Sequence, residues 1–261
     1  MPLITLTTDF GERDPYVAAM KGVLYRECPG VTVADLSHAI APQDVMEGAL
    51  FMAGAAAYFP EDTVHVAVVD PGVGTQRRPI AVSAGGQRFV CPDNGLLTLW
   101  LRTNALDAAR VITNPDFMCH PLSATFHGRD LFAPAAACLA RGELFETVGE
   151  DAGELVALDV SEAAWVADHV LSGEIIHLDR FGNAVTNIPR QMLRNLCVEC
   201  VQAGEHRFKG LSATYSDVEE GAPVVLFSST DYLEIALRNG NAAQTLRLER
   251  GMPLAVTCTA A

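Results

Sequence analysis

No stretch of the chain approaches the roughly eighteen consecutive apolar residues a membrane-spanning helix requires. The opening Met-Pro-Leu-Ile-Thr also lacks the basic segment and cleavage site of a secretory leader, so the expected location is cytoplasmic. Positive charge is scarce: 18 Lys and Arg stand against 32 Asp and Glu, a formal net charge of −14. That balance argues against a nucleic-acid partner or an anionic membrane, while remaining compatible with a cationic ligand or with simple solubility. A disulfide framework is missing as well. The seven cysteines (Cys28, Cys91, Cys119, Cys138, Cys197, Cys200, Cys258) are odd in number and scattered, which fits reduced, mostly packed thiols. Only Cys197-Val-Glu-Cys200 has suggestive spacing, and it lacks both the second pair of a zinc ribbon and the βαβ context of a redox motif.

Metal-ligand patterns are equally thin. His38, His65, His120, His169, His177 and His206 form no HExxH or comparable arrangement, so no metal site is expected. Gly72-Val73-Gly74 begins like a dinucleotide loop, but the third glycine is absent and no helix clearly opens there.

What the 261 residues do contain is 49% hydrophobic side chains in two textures. From Leu3 to about Ala163, β-branched apolar runs (Ile4–Thr8, Val31–Leu36, Val64–Val69) alternate with helical patterns (Val17–Cys28, Asp44–Phe59, Leu96–Thr103, Asp130–Ala140). Such alternation predicts an α/β domain, residues 1–163, with a mostly parallel sheet covered by helices. After Val170, short strands broken by turns predict a smaller antiparallel β-barrel-like domain, residues 170–261, with the boundary in Ala164–His169.

Open α/β sheets bind ligands beyond the carboxyl ends of their strands. Four polar loops are candidates for that place: "TTDFGERD" after the first strand, "DPGVGTQRR" after Val64–Val69, "CPDNG" after Arg88–Val90, and "TFHGRD" before the last helix. Each also has a plain structural reading. Asp9 could start the turn at Gly11, and Asp70-Pro71-Gly72 reads as a β-turn in which aspartate bonds its own backbone.

Five separated motifs, "TTDFGERDPYVAAMKGV", "VVDPGVGTQRR", "PDNGLL", "TFHGRDLFAPAAA" and "DRFGNAVTNI", closely resemble the S-adenosylmethionine (SAM) hydroxide adenosyltransferases, relatives of the SAM-dependent fluorinase and chlorinase. The resemblance implies hydrolysis of SAM to adenosine and methionine, with SAM as substrate and no cofactor. It also implies a homotrimer with sites between the N-terminal domain of one subunit and the C-terminal domain of its neighbour. By the same resemblance Asp9 would accept the ribose hydroxyls, Phe181 would stack on adenine and Asn183 would read its edge. Asp179, with Asp14 assisting, would hold the methionine ammonium; Ser229 would receive its carboxylate. Phe126 lines the substrate site, and Arg238 and Asn239 would offer backbone contacts to adenine. The match of Ser229 is weakened by Thr230, which stands where the fluorinase has arginine.

Asp70, Arg77 and His127 match the water-activating group of the hydrolase branch. His127 would take the proton, Asp70 would orient the imidazole, and Arg77 would fix the water; Arg78 reads as a structural or solvated neighbour. Three alternatives remain. A halogenase would carry tyrosine at position 70, serine at 128 and tryptophan at 43, where this chain has Asp70, Gly128 and Gln43. A non-catalytic SAM or adenosine-binding module would not need the three polar residues together. A nucleoside hydrolase of another kind, such as a metal-assisted one, would cut the glycosidic bond.

Overall fold

The computed structural model describes residues 1–260 and divides into two compact units, Met1–Leu158 and Asp159 onward. In the first, β1 (Leu3–Thr8), β2 (Thr32–Ser37) and β3 (Val64–Val68) alternate with α1 (Tyr16–Glu27) and α2 (Val45–Ala55). β4 (Pro79–Ala84) and β5 (Gln87–Pro92) form a hairpin, followed by α3 (Thr98–Leu101), β6 (Leu106–Val111) and α4 (Ala133–Ala140). The sheet runs β2-β1-β3-β5-β4-β6; the first four strands are parallel neighbours and β4 is antiparallel to both of its partners.

β3 shows why the sheet is covered on both faces. Its Val64, Val66 and Val68 join a core with Met20 and Leu24 of α1 and the alanines of α4. Ala67 and Val69 join another with Met52 of α2 and Trp100. A strand buried on both faces reads as a continuous apolar run, which is how this one appears in the sequence. Helix α2 starts where Asp44 accepts the Glu47 N–H at 2.9 Å, a side-chain cap for an otherwise orphaned donor. Gly48 then lets α2 lie close on the sheet: a Cβ there would come within 2.7 Å of Leu96 Cδ2.

The second unit holds β7 (Ala164–Ala167), β8 (Val170–Leu178), β9 (Ala184–Pro189), β10 (Leu196–Ala203), β11 (His206–Lys209), β12 (Pro223–Phe227), β13 (Tyr232–Leu237), a short α5 (Ala242–Leu246) and β14 (Pro253–Ala260). Its antiparallel order β11-β10-β14-β8-β9-β13-β12 curls until the end strands approach, and Ser212 after β11 donates to Val225 of β12 at 2.8 Å. The expected barrel-like sheet is present. The division falls after Leu158, earlier than the sequence boundary, because residues 164–167 are a strand paired with β8 rather than a linker. The helical pattern at Asp130 also differs: Gly128–Phe132 is a wide π-turn that passes into α4. Among the described residues no helix is long and apolar enough to cross a membrane.

One histidine sits inside the sheet itself. Thr5, His65 and Phe89 are in register across β1, β3 and β5. His65 is fully covered, 2.7 Å from Thr5 Oγ1 through Nδ1 and stacked on Phe89 at 5.2 Å. Burial pushes its pKa down from 6.5 to about 4. The unfolded chain therefore takes up this proton near pH 6.5 and the folded one only near 4. The stability that neutral His65 contributes is complete above 6.5 and lost as pH falls towards 4, by up to about 3 kcal/mol. Urea unfolding at pH 7.5 and 4.5 should show a smaller pH-dependent loss in His65→Gln than in the wild type.

Candidate active site

The carboxyl ends of β1, β2, β3 and β5 lie along one edge of the parallel region, because parallel strands must all point the same way. Asp9 follows β1, His38 follows β2, Asp70 follows β3 and Asp93 follows β5. Asn94 ties two of these loops together by donating to the Val69 carbonyl at 2.9 Å. The strands thus bring together loops that are tens of residues apart in the chain.

Asp70 and Arg77 form the electrostatic centre. Their side chains are 5% and 8% exposed. Arg77 Nε donates to Asp70 Oδ1 at 2.8 Å, and Arg77 Nη2 donates to Oδ2, a fork matched to the two carboxylate oxygens. The other Nη2 hydrogen reaches His127 Nδ1 at 2.8 Å. A guanidinium can only donate, so Nδ1 must accept. That places the imidazole hydrogen on Nε2 and requires a neutral ring. Burial, then the adjacent Arg77 charge, holds the His127 pKa below its ordinary value, in agreement. Arg77 Nη1 is buried without a protein acceptor, and the guanidinium carbon lies 5.2 Å from the Phe132 ring centroid.

In this geometry Asp70 and the imidazole meet through Arg77. Arg77 stands between them, engaging one hydrogen bond on each carboxylate oxygen and one on Nδ1. A turn built by Thr75 makes this possible: its hydroxyl donates to the Gly72 carbonyl at 2.7 Å and accepts the Arg77 N–H at 3.3 Å, folding the loop back on itself.

The neighbouring Arg78 is structural. It donates to Asp93 through Nε at 2.9 Å and through Nη2, and to the Glu154 carbonyl at 2.7 Å, while Asp93 Oδ1 accepts from Val156 N at 2.9 Å. The paired arginines therefore turn to opposite tasks. One faces the site, and the other clamps the segment that ends this unit.

His127 is held by residues the sequence reading passed over. Asp130 accepts the Ser123 N–H at 2.9 Å, and its carbonyl accepts Cys119 N–H at 2.7 Å, closing the loop around the π-turn. The hydrogen bond from Arg129 brings the Asp130 carboxyl below its usual range. Phe126 meets Tyr16 edge-on at 5.2 Å and Phe10 at 6.0 Å, forming an aromatic wall beside Gly128. Asp9 is half-buried and accepts the Gln43 N–H through Oδ2 at 2.8 Å, whereas Asp14 is exposed in the bend before α1.

In the second unit, Asp179 and Asn183 close a hairpin tip. Asp179 Oδ1 accepts from Phe181 N and Asn183 N, both at 2.8 Å, and Oδ2 from Asn183 Nδ2 at 3.0 Å. One amide hydrogen and the carbonyl oxygen of Asn183 remain for other use. Phe181 projects from this tip, 75% exposed. Gly182 has a φ of +84°, and a Cβ there would strike Asn241, the cap of α5. Ser229 is exposed at the β12–β13 turn, where Ser228 and Thr230 bond each other at 2.9 Å.

Arg238 is bonded within its own unit. Its backbone N–H and C=O bond Ala222 and Gly221, and its guanidinium donates to the Val218 carbonyl at 2.6 Å, so it holds the adjacent turn. Asn239 is exposed with φ +55° and donates to Glu220 at 3.4 Å. A pair the sequence did not signal is exposed Tyr215 donating to buried Glu234 at 2.7 Å; burial, with Asp179's charge adding, raises the Glu234 pKa.

Family models of the SAM hydroxide adenosyltransferase N-terminal and C-terminal domains match residues 4–149 and 173–255. The chain belongs to this family. Among curated members it is 41% identical to "(R)-S-adenosyl-L-methionine hydrolase" of Thermus thermophilus, over 95% of this chain and 96% of that one. It is 40% identical to the protein of that name from Salinispora arenicola over 98% of each. A fluorinase of Nocardia brasiliensis is 32% identical over 98% of this chain and 96% of its own. Among solved structures, an uncharacterized conserved protein from Thermotoga maritima superposes with a TM-score of 0.90 at 34% identity, covering 97% of this chain and 99% of that one.

The two arginines predict separable effects. Arg78→Met should lower unfolding stability by about 2 kcal/mol, since it strands the buried Asp93 carboxylate, with catalysis in the surviving folded protein largely retained. Arg77→Met strands Asp70 in the same way, and should abolish turnover even in the protein that remains folded. Urea titration and steady-state rates on both variants check the distinction.

Proposed function

We propose that this family member hydrolyses SAM to adenosine and L-methionine. The observation that carries the reading is the buried Asp70–Arg77–His127 chain at the strand ends, and the hydrolase names of relatives about 40% identical over nearly the whole chain support it. Water oxygen attacks C5′ of the ribose, the C5′–S bond breaks with its electron pair passing to sulfur, and one proton is released per turnover. The sulfonium is already an activated leaving group, so the protein's task is to place a water, ease its deprotonation and exclude competing nucleophiles.

Arg77 holds the neutral ring with its hydrogen on Nε2, and that N–H donates to the oxygen of a water. Nδ1 becomes a proton acceptor when Arg77 releases it. Asp9 takes the ribose hydroxyls through its uncommitted Oδ1. Phe126, with Asp14 at its side of the unit, borders the substrate. In the second unit Phe181 and Asn183 take adenine, Asp179 the ammonium and Ser229 the carboxylate, with Asn239 adjoining. No metal or organic cofactor enters the scheme. The relatives' names specify the (R)-epimer at sulfur, and we extend that preference to this chain.

Halogenation fits poorly. A carboxylate at Asp70 repels a halide, and a Cβ at Gly128 would come within 3.1 Å of Met20 Sδ and 3.2 Å of Phe126, so a serine there needs those side chains to shift by a few tenths of an ångström. The proposed assembly is the homotrimer and the proposed location the cytoplasm; native mass measurement showing a fully active monomer would overturn the former.

Incubation with SAM in ¹⁸O-water should yield 5′-labelled adenosine and methionine in equal amounts, with unchanged yield in chelator. His127→Ala and Asp70→Ala should each lose about 10²-fold or more in kcat. Release of adenine, or of neither product, would sink the reading. Protonating His127 would set an N–H against Arg77, so the acid limb of kcat/KM should lie below pH 6.5, with a plateau through neutrality; a limb centred above 6.5 would contradict the neutral ring.

A further inference from the structure

His38, whose neighbours in the sequence offered no ligand pattern, is 7% exposed and sits where β2 ends beside β1. Its Nδ1 is 2.9 Å from Thr8 Oγ1, and its Nε2 is 3.1 Å from Asp35 Oδ1, off the best hydrogen-bond direction. Asp35 is paired in turn with Lys21 of α1.

The carboxylate selects the tautomer. A lone pair on Nε2 would face a negative charge at 3.1 Å, so the hydrogen resides there and Nδ1 is the acceptor. Thr8 must then donate its hydroxyl hydrogen to Nδ1. Its oxygen lone pairs are left to receive the Phe10 N–H, which lies 3.2 Å away. The backbone of His38 acts on the same loop from the other side, its carbonyl accepting the Gly11 N–H at 2.8 Å.

Between these two anchors lies Asp9. His38 holds Thr8 before it through Nδ1 and Gly11 after it through its carbonyl, Phe10 N–H returns to Thr8 Oγ1, and Asp9 Oδ2 accepts from Gln43, whose backbone is in the left-handed region at φ +66°. These contacts fix the chain from Thr8 to Gly11 around Asp9 and leave Oδ1 as its open oxygen. We infer that His38, acting through Thr8, is a positioning residue that aims the Asp9 carboxylate at the two hydroxyls of a ribose. This rests on the reading of Asp9 as the diol acceptor.

The prediction is a loss of affinity confined to ligands that carry the diol. Calorimetric binding of adenosine and of 2′,3′-dideoxyadenosine would be compared in the wild type, His38→Leu, His38→Asn, Thr8→Val and Asp9→Ala. His38→Leu and Thr8→Val should weaken adenosine roughly five- to tenfold, the worth of about one hydrogen bond, and change dideoxyadenosine by less than about twofold. His38→Asn, which can still accept from Thr8, should recover most of the loss. Should His38→Leu fail to fold, Thr8→Val carries the same comparison. Equal losses on both nucleosides would mark a general structural role and overturn the proposal, as would no loss on adenosine. If Asp9→Ala loses diol selectivity and the His38 and Thr8 variants keep it, the positioning role fails alone. If Asp9→Ala keeps it, the diol reading of Asp9 falls and takes the positioning role with it.

Discussion

A carboxylate as thoroughly covered as that of Asp70 can stay ionised only against a cation that satisfies its oxygens, because an isolated buried charge would cost many kcal/mol. Arg77 meets that demand with a planar fork, and the fork's geometry has a further consequence. One Nη2 hydrogen is spent on Asp70, and the other points at His127. The ion pair thus sets the protonation state and the tautomer of the imidazole without Asp70 touching it. Breaking the pair would release the ring as well as the charge, so the three residues stand or fall together.

Around this centre, the loops are held by hydrogen bonds that serve no chemistry themselves. Thr75 folds the Asp70 loop, Asp130 closes the His127 loop, and Asn94 pins the end of β3. Arg78 and Asp93 secure the last segment of the first unit. This division of labour is what a precise reaction geometry requires, since an ångström of slack in a water or a carboxylate costs orders of magnitude in rate. The hairpin tip of the second unit follows the same plan. Asp179 orders its own turn with three bonds and leaves Phe181 standing out from it, a conformation that only Gly182 permits against Asn241.

Much of this was legible in the sequence for physical reasons. Apolar runs rich in β-branched residues alternating with helical patterns determine a mostly parallel sheet between helix layers, and the run at Val64–Val68 declares a strand buried on both faces. Short strands after Val170 determine an antiparallel barrel-like sheet. Polar loops at strand ends locate the chemistry, because parallel strands place their carboxyl ends on one edge. What the tertiary structure alone decided is which atoms meet. Arg77 and Arg78 are adjacent in the chain and equal in charge, yet the turn at Thr75 sends one to Asp70 and the other to Asp93. Asp130 and His38 looked unremarkable beside their motifs, since their partners lie on other elements. Hydrogen-bond direction depends on where donors and acceptors converge in space, and local sequence carries no record of that convergence.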